Sequence, residues 1–403
     1  MRKTLPPWAI GLANSPLGFY FGFITTALPI LLASQGVALG EIALVSSVGF
    51  SPTWWAFLFC PILDVRFTKK TYAFLFNGVA AMCLVGTVLL LHDVRTMTVV
   101  LVGGCAAIVI GGNAIGGWIP DLVGDEYYDR VGAVTNIANL GAAGVFGTLS
   151  VLLVRVLPLP AAAGLLGLTL YLPVGLLFFL PGAPRPTRSA GDVFRTFFRD
   201  LWLVSKRREF LYGLLIFILP ASAFALTNLF SGLGNEFHTS EKWTTAIGGA
   251  GVAIACSLGC LAGIPLCRRY LRRTVYLAVG LGSAVCALAM IPAPRSTLVF
   301  AVGVLAYNFL QGINYTSFSA LTYEIVGPRN PLGGTQISVL TAATNGALSL
   351  TTIVDGYGFT RHGVSGLLAT DALISLGFGV PLILYFRWAS RRHRHTAERE
   401  IVS

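Results

Sequence analysis

The sequence predicts an all-α integral membrane protein with twelve transmembrane helices in two pseudo-symmetric six-helix bundles. Three observations carry this: an apolar composition, apolar runs recurring at bilayer-spanning spacing, and charged residues that repeat at corresponding helix ends. Of 403 residues, 55% are hydrophobic and 11% charged, against about 25% charged in ordinary soluble domains. No single soluble core absorbs that much apolar surface. A bilayer crossing takes about 20 largely apolar residues, and runs of that length place helices one to six at 8–34, 40–62, 72–92, 97–120, 131–157 and 161–180. Helices seven to twelve follow at 209–233, 243–267, 274–291, 298–323, 335–354 and 364–388.

The first run, after Arg2 and Lys3, is too long for a cleavable signal peptide and lacks a small-residue cleavage site, so it is read as a retained helix. The seven cysteines fall singly in apolar runs, with no metal-binding spacing, and read as small packing residues. No cofactor is expected. Orientation comes from the basic residues: with the N-terminus inside, all of the 28 except Arg95, Arg155, Lys242, Arg295 and Arg361 fall on the inner side. That bias puts both termini in the cytoplasm. It also accounts for the net charge of +11 without nucleic acid, since basic inner loops face anionic lipid.

The expected organisation is an N-terminal bundle over 1–183, a cytoplasmic linker over 184–208, a C-terminal bundle over 209–389 and a basic tail over 390–403. The linker mixes basic residues with Phe194, Phe197, Phe198, Leu201 and Trp202, the pattern of an amphipathic helix lying at the membrane surface. The two bundles look like repeats. At an offset of 203, Lys69 and Lys70 after helix two fall on Arg272 and Arg273 after helix eight, and Asp121 at the end of helix four falls on Glu324 at the end of helix ten. Duplicated six-helix halves are a hallmark of transporters.

From Phe19 to Phe67, the segments Leu28-Pro29-Ile-Leu-Leu, Gln35-Gly-Val, Gly49-Phe50 and Pro61-Ile-Leu-Asp64 resemble the opening of the AmpG-like permeases, a branch of the major facilitator superfamily. Thr335-Gln336, Asp355-Gly-Tyr-Gly358 and Gly363-Val-Ser-Gly-Leu-Leu are similar to that branch's last two helices. The resemblance implies the major facilitator fold, a central cavity lined by helices one, four, seven and ten, alternating access and proton coupling. It further implies a monomer in a bacterial inner membrane that carries a small-molecule solute, with muropeptides, siderophores or acetyl-coenzyme A as the cargo of its members. The chain departs from muropeptide permeases at the acids expected in helix four, whose positions fall near Ala114 and Trp118.

The polar residues inside the four implied cavity helices are Asn14 and Tyr20, Asn113 and Trp118, Thr227 and Asn228, and Tyr307, Asn308, Gln311 and Asn314. Amides in hydrocarbon are costly unless paired or facing water, so these read either as solute-binding groups or as interhelical hydrogen bonds. Pro16, Pro29, Pro220, the glycines of 111–117 and Gly312 are expected to interrupt the same helices. Asp371 is the clearest acid within a span and a candidate for proton coupling, with a structural contact to Arg361 or His362 as the competing reading. Asp355 and Glu236 are placed at helix ends, in solvent. A gate is expected from Asp64, Arg66, Lys69 and Lys70 against Asp121, Asp125 and Glu126, with Arg272 and Arg273 against Glu324 in the second half.

Nothing points to an enzyme. There is no phosphate-binding G-x-x-x-x-G-K-[ST] run and no serine beside a histidine and an acid. The expected function is secondary active transport of a neutral or weakly charged organic solute. A non-transporting sensor on the same fold is the alternative of another class.

Overall fold

A computed structural model describes residues 6–182, 191, 195, 199, 202, 207–330 and 332–402. The predicted interfacial helix in the linker lies, apart from isolated positions, outside them. Every regular element among the described residues is helical. Among the described residues, nine helical stretches are long and apolar enough to cross a membrane. One of them, Gly333–Phe386, has 54 residues and is about 80 Å long if straight, enough for two crossings. It turns back at His362 and Gly363, whose backbones leave helical geometry, so helices eleven and twelve are separate spans. Gly363 adopts φ +60°, a conformation open to glycine at no steric cost.

Helices two and seven are missing from those nine because prolines fracture them. Helix two runs as Leu39–Phe50, Pro52–Trp55 and a 3-10 stretch Ala56–Asp64 that contains Pro61. Helix seven is regular only over Arg208–Ile218; Pro220 ends it, Phe224 takes a left-handed φ of +56°, and 3-10 turns continue from Ala225 to Phe237. Each proline removes a backbone donor and blocks the preceding turn. Helix one is likewise divided, into Pro7–Ala13, Pro16–Gly22, a π-helical turn Phe23–Ala27 and Leu28–Ser34. Helix four ends at Gly116 and is followed by a short Ile119–Leu122 turn. The expected break at Gly312 does not occur: helix ten is continuous over Thr297–Val326. Gly312 instead lets the backbone of Cys256 in helix eight pack directly against it.

The repeat carries through into the elements. Helix three begins at Lys69 and helix nine at Arg272, and helix four begins at Val94 and helix ten at Thr297, pairs separated by the same offset as the charged residues. Two compact units are present. One comprises 1–213 with 319–345, and the other 214–318 with 346–403. The segment from late helix ten to mid helix eleven therefore packs with the first six helices. The first unit's core is built around Tyr20, Phe23, Leu101, Trp118 and Phe146. The second is built around Phe224, Phe230, Phe300 and Tyr307.

Candidate functional site

In the first unit, the loop after helix two and the start of helix eleven form one hydrogen-bonded cluster. Asp64 is 3% exposed. Its Oδ1 accepts from the Gly334 N–H at 3.2 Å, and its Oδ2 accepts from the Thr335 N–H at 3.1 Å and the Thr335 hydroxyl at 2.6 Å. A carboxylate there satisfies otherwise orphaned donors of the first helical turn and meets the positive end of the helix dipole. Beside it, the Lys69 ammonium donates to the Gly117 carbonyl at 2.6 Å and lies 3.9 Å from Asp121 Oδ2. Asp121 also accepts from the backbone N–H of Arg329.

Of the expected gate, Asp64, Lys69 and Asp121 thus come together. Lys70 does not join them: it donates to Leu180 O at 3.0 Å and Phe178 O at 3.4 Å, capping the free carbonyls at the end of helix six. Arg66 stacks over Phe67 at 5.2 Å and Arg273 over Phe386 at 5.3 Å. Asp125, Arg272 and Glu324 each make contacts of their own, and the last two fall in different compact units. Thr335 entered the sequence reading only through resemblance. A hydroxyl at a helix start is the signal that marks it.

The polar candidates of the first unit are all buried. The buried Tyr20 hydroxyl donates to Leu101 O at 2.9 Å. Asn113 makes only a long contact to Cys60 Sγ, at 3.8 Å, and Trp118 is buried where helix four ends. Asn14 sits at the break in helix one with its side-chain oxygen buried and unpartnered.

The second unit holds a tighter constellation where helix seven unwinds beside helix ten. Asn308 donates its amide N–H to Val304 O at 2.8 Å, which turns its Oδ1 the other way. Thr227 Oγ1 lies 3.1 Å from that Oδ1 and 3.1 Å from Gln311 Oε1. A hydroxyl has one proton to give, so two amide oxygens compete for it and one keeps acceptor capacity. Asn228 next to Thr227 is exposed, while Asn308 and Gln311 are buried. One turn on, Asn314 donates to Ser222 O at 3.2 Å, serving a carbonyl freed by the break at Pro220. Tyr307 is fully buried, with rings of Phe224 and Phe230 at 5.1 and 5.3 Å.

Asp371 meets neither Arg361 nor His362. Its two oxygens accept from the Tyr307 hydroxyl at 3.2 and 3.3 Å, and Arg361 instead stacks over Tyr357 at 4.7 Å. Asp355 is not in solvent as expected but fully buried, because helix eleven runs on past it to the turn at His362.

A sequence profile of the Major Facilitator Superfamily matches residues 10–333. The chain belongs to the Major Facilitator Superfamily. Solved structures agree in fold across nearly the whole chain. A bacterial homologue of the iron transporter ferroportin in its outward-facing state superposes with a TM-score of 0.72 at 13% identity, covering 95% of this chain and 98% of that one. The proton:xylose symporter XylE gives 0.71 at 11% identity, covering 93% and 94%. The human organic anion transporter MFSD10 gives 0.68 at 16% identity, covering 93% and 98%. No curated protein sequence matches the chain. Membership makes the protein an integral membrane protein, and the superfamily's fold points to secondary transport rather than catalysis. Superfamily members bind small-molecule solutes and often couple their movement to protons.

Proposed function

We propose that the protein is a proton-coupled secondary transporter, of the AmpG-like type, that moves a neutral or weakly charged organic solute across a bacterial inner membrane, working as a monomer with both termini in the cytoplasm. The observation that carries the solute class is the Thr227, Asn308 and Gln311 cluster. It offers surplus hydrogen-bond acceptors beside an unwound, partly exposed helix, which suits a solute bearing hydroxyl or amide N–H groups. The predicted spans carry lysine and arginine only at their ends, so a polyanionic cargo would lose its hydration with no cation deep within a span to replace it. The sugar carried by XylE is a solute of the kind proposed here.

Purified protein in liposomes, given an inward proton gradient and a panel of muropeptides, siderophores and nucleotide conjugates, tests the reading. Accumulation of an unmodified muropeptide or siderophore is expected. It should fall at least about tenfold in Asn308→Ala, a loss of roughly 1.4 kcal/mol, and in Trp118→Ala, while neutralising loop arginines leaves it nearly intact. Preference for a highly charged nucleotide conjugate would overturn the solute class. Binding without flux would make the protein a sensor, and chemically altered solute would make it an enzyme.

A further inference from the structure

Helices eleven and twelve pack against each other along a small-residue contact next to the turn that joins them. A Cβ added at Gly358 would come within 2.8 Å of the Gly366 carbonyl oxygen, and one added at Gly366 would strike the Gly358 carbonyl. Asp355 precedes the turn at Gly363 by as many residues as Asp371 follows it, so in an antiparallel pair at this spacing the two lie at one level. Both are fully buried, and their carboxyls are close enough to act on each other.

Among the described residues, no cation acts on the pair. Besides the partner acid, the titratable group acting on the pair is Tyr307 of helix ten, and Asp371 in turn acts on Cys286 of helix nine. The nearby basic residues point elsewhere: Arg361 lies over Tyr357, and Arg295 donates to Ser365 Oγ at 3.0 Å and lies over Phe237 at 4.7 Å. The two acids also differ in their partners. Asp371 receives the Tyr307 hydroxyl on both oxygens, which is how a carboxylate is held. Asp355 has both oxygens buried and without a hydrogen-bond donor. Two unprotonated carboxyls in such a place would be two adjacent uncompensated charges.

We infer that Asp355 and Asp371 form a proton-binding site: one proton, carried on the Asp355 side, is shared with Asp371, which Tyr307 holds in place as the acceptor. This deepens the transport reading by locating the coupling proton in the hairpin of helices eleven and twelve. Exchange of the proton then requires the close-packed Gly358 and Gly366 contact to open, which ties the proton to a change of conformation rather than to free titration.

Infrared spectroscopy of the purified full-length protein in liposomes tests the site without a known solute. At neutral pH the wild type should show a protonated-carboxyl band that shifts on transfer to heavy water. The band should move in Tyr307→Phe and vanish in the double variant Asp355→Asn, Asp371→Asn. Asparagine keeps the shape of the side chain, and the single variants serve if the double one fails to fold. A wild-type spectrum without the band, or a variant spectrum unchanged from wild type, overturns the proposal. Loss of the band on adding sodium chloride at constant pH also overturns it, in favour of a sodium site. The transport reading fails separately: a wild type that shows the band but never accumulates a solute has the proton site without being a transporter.

Discussion

Asp64 shows how one side chain can hold two distant stretches of sequence together. It receives three donors from the start of helix eleven, 270 residues away, and Lys69 is near enough to attract it. The Lys69–Asp121 pair is long, at 3.9 Å, and each side chain is 10% exposed. Breaking a largely buried cluster by removing its one cation should cost more than removing either acid, because both carboxyls then lack a counter-charge. The expected order of destabilisation is Lys69→Met, then Asp64→Asn, then Asp121→Asn, measured as the fall in Tm. Asp64→Asn keeps an acceptor but loses the charge assistance, worth about 1–2 kcal/mol at a helix start. If the cluster is a gate, the buried thiol of Cys60 in helix two should label roughly 5–30 times faster in that variant, read by mass spectrometry of its peptide. An unchanged rate with a lowered Tm would make the cluster structural only.

Among the elements, helix seven departs most from a regular span. Its break at Pro220 releases carbonyls in a buried place, and Asn314 answers one of them at Ser222. Asn314→Leu should leave that carbonyl unsatisfied at a cost of about 1–3 kcal/mol, seen as a lower Tm. A Tm equal to wild type would mean that water or a rearranged backbone takes over. At the turn between helices eleven and twelve, Gly363→Ala forces a side chain into positive-φ extended angles that glycine alone adopts freely and should destabilise by about 1–3 kcal/mol, with the thermal transition again the measurement. The prolines made the breaks in helices one and seven legible, since a missing N–H is a property of the residue itself, while the fracture of helix two at Pro52 and Pro61 is an addition from the structure. Gly312 was misleading because the same residue serves a bend or a close contact, and only the neighbour decides. Here that neighbour is the backbone of Cys256.

For the molecule as a whole, the distribution of basic residues predicts orientation. A phosphatase reporter fused after His238 should be active outside the cytoplasm and one fused at Ala190 inactive, and the reverse pattern would invert the topology. The repeat is stronger in the helix starts than in the chemistry. Lys69 and Arg272 open corresponding helices, yet Cys267 stands where the repeat would put a second Asp64. At that position a thiol replaces the carboxylate that caps helix eleven, so the repeat in helix starts does not extend to this side chain.

The sequence by itself determined that the chain is helical and membrane-embedded, roughly where its spans lie, and that two halves repeat. These follow from composition and spacing, which act along the chain through burial in lipid and the backbone's need for internal hydrogen bonds. It also placed Asn308, Gln311 and Asp371 as polar residues within spans. Only the tertiary structure decided what each of them meets. The apolar run alone ends helix eleven at Val354 and leaves Asp355 in solvent, but the helix continues to the turn and buries it. Lys70, a gate residue by its place in the sequence, instead caps helix six. A side chain's partner depends on which distant helices pack beside it, and residues far apart in sequence leave no periodic trace of that choice along the chain.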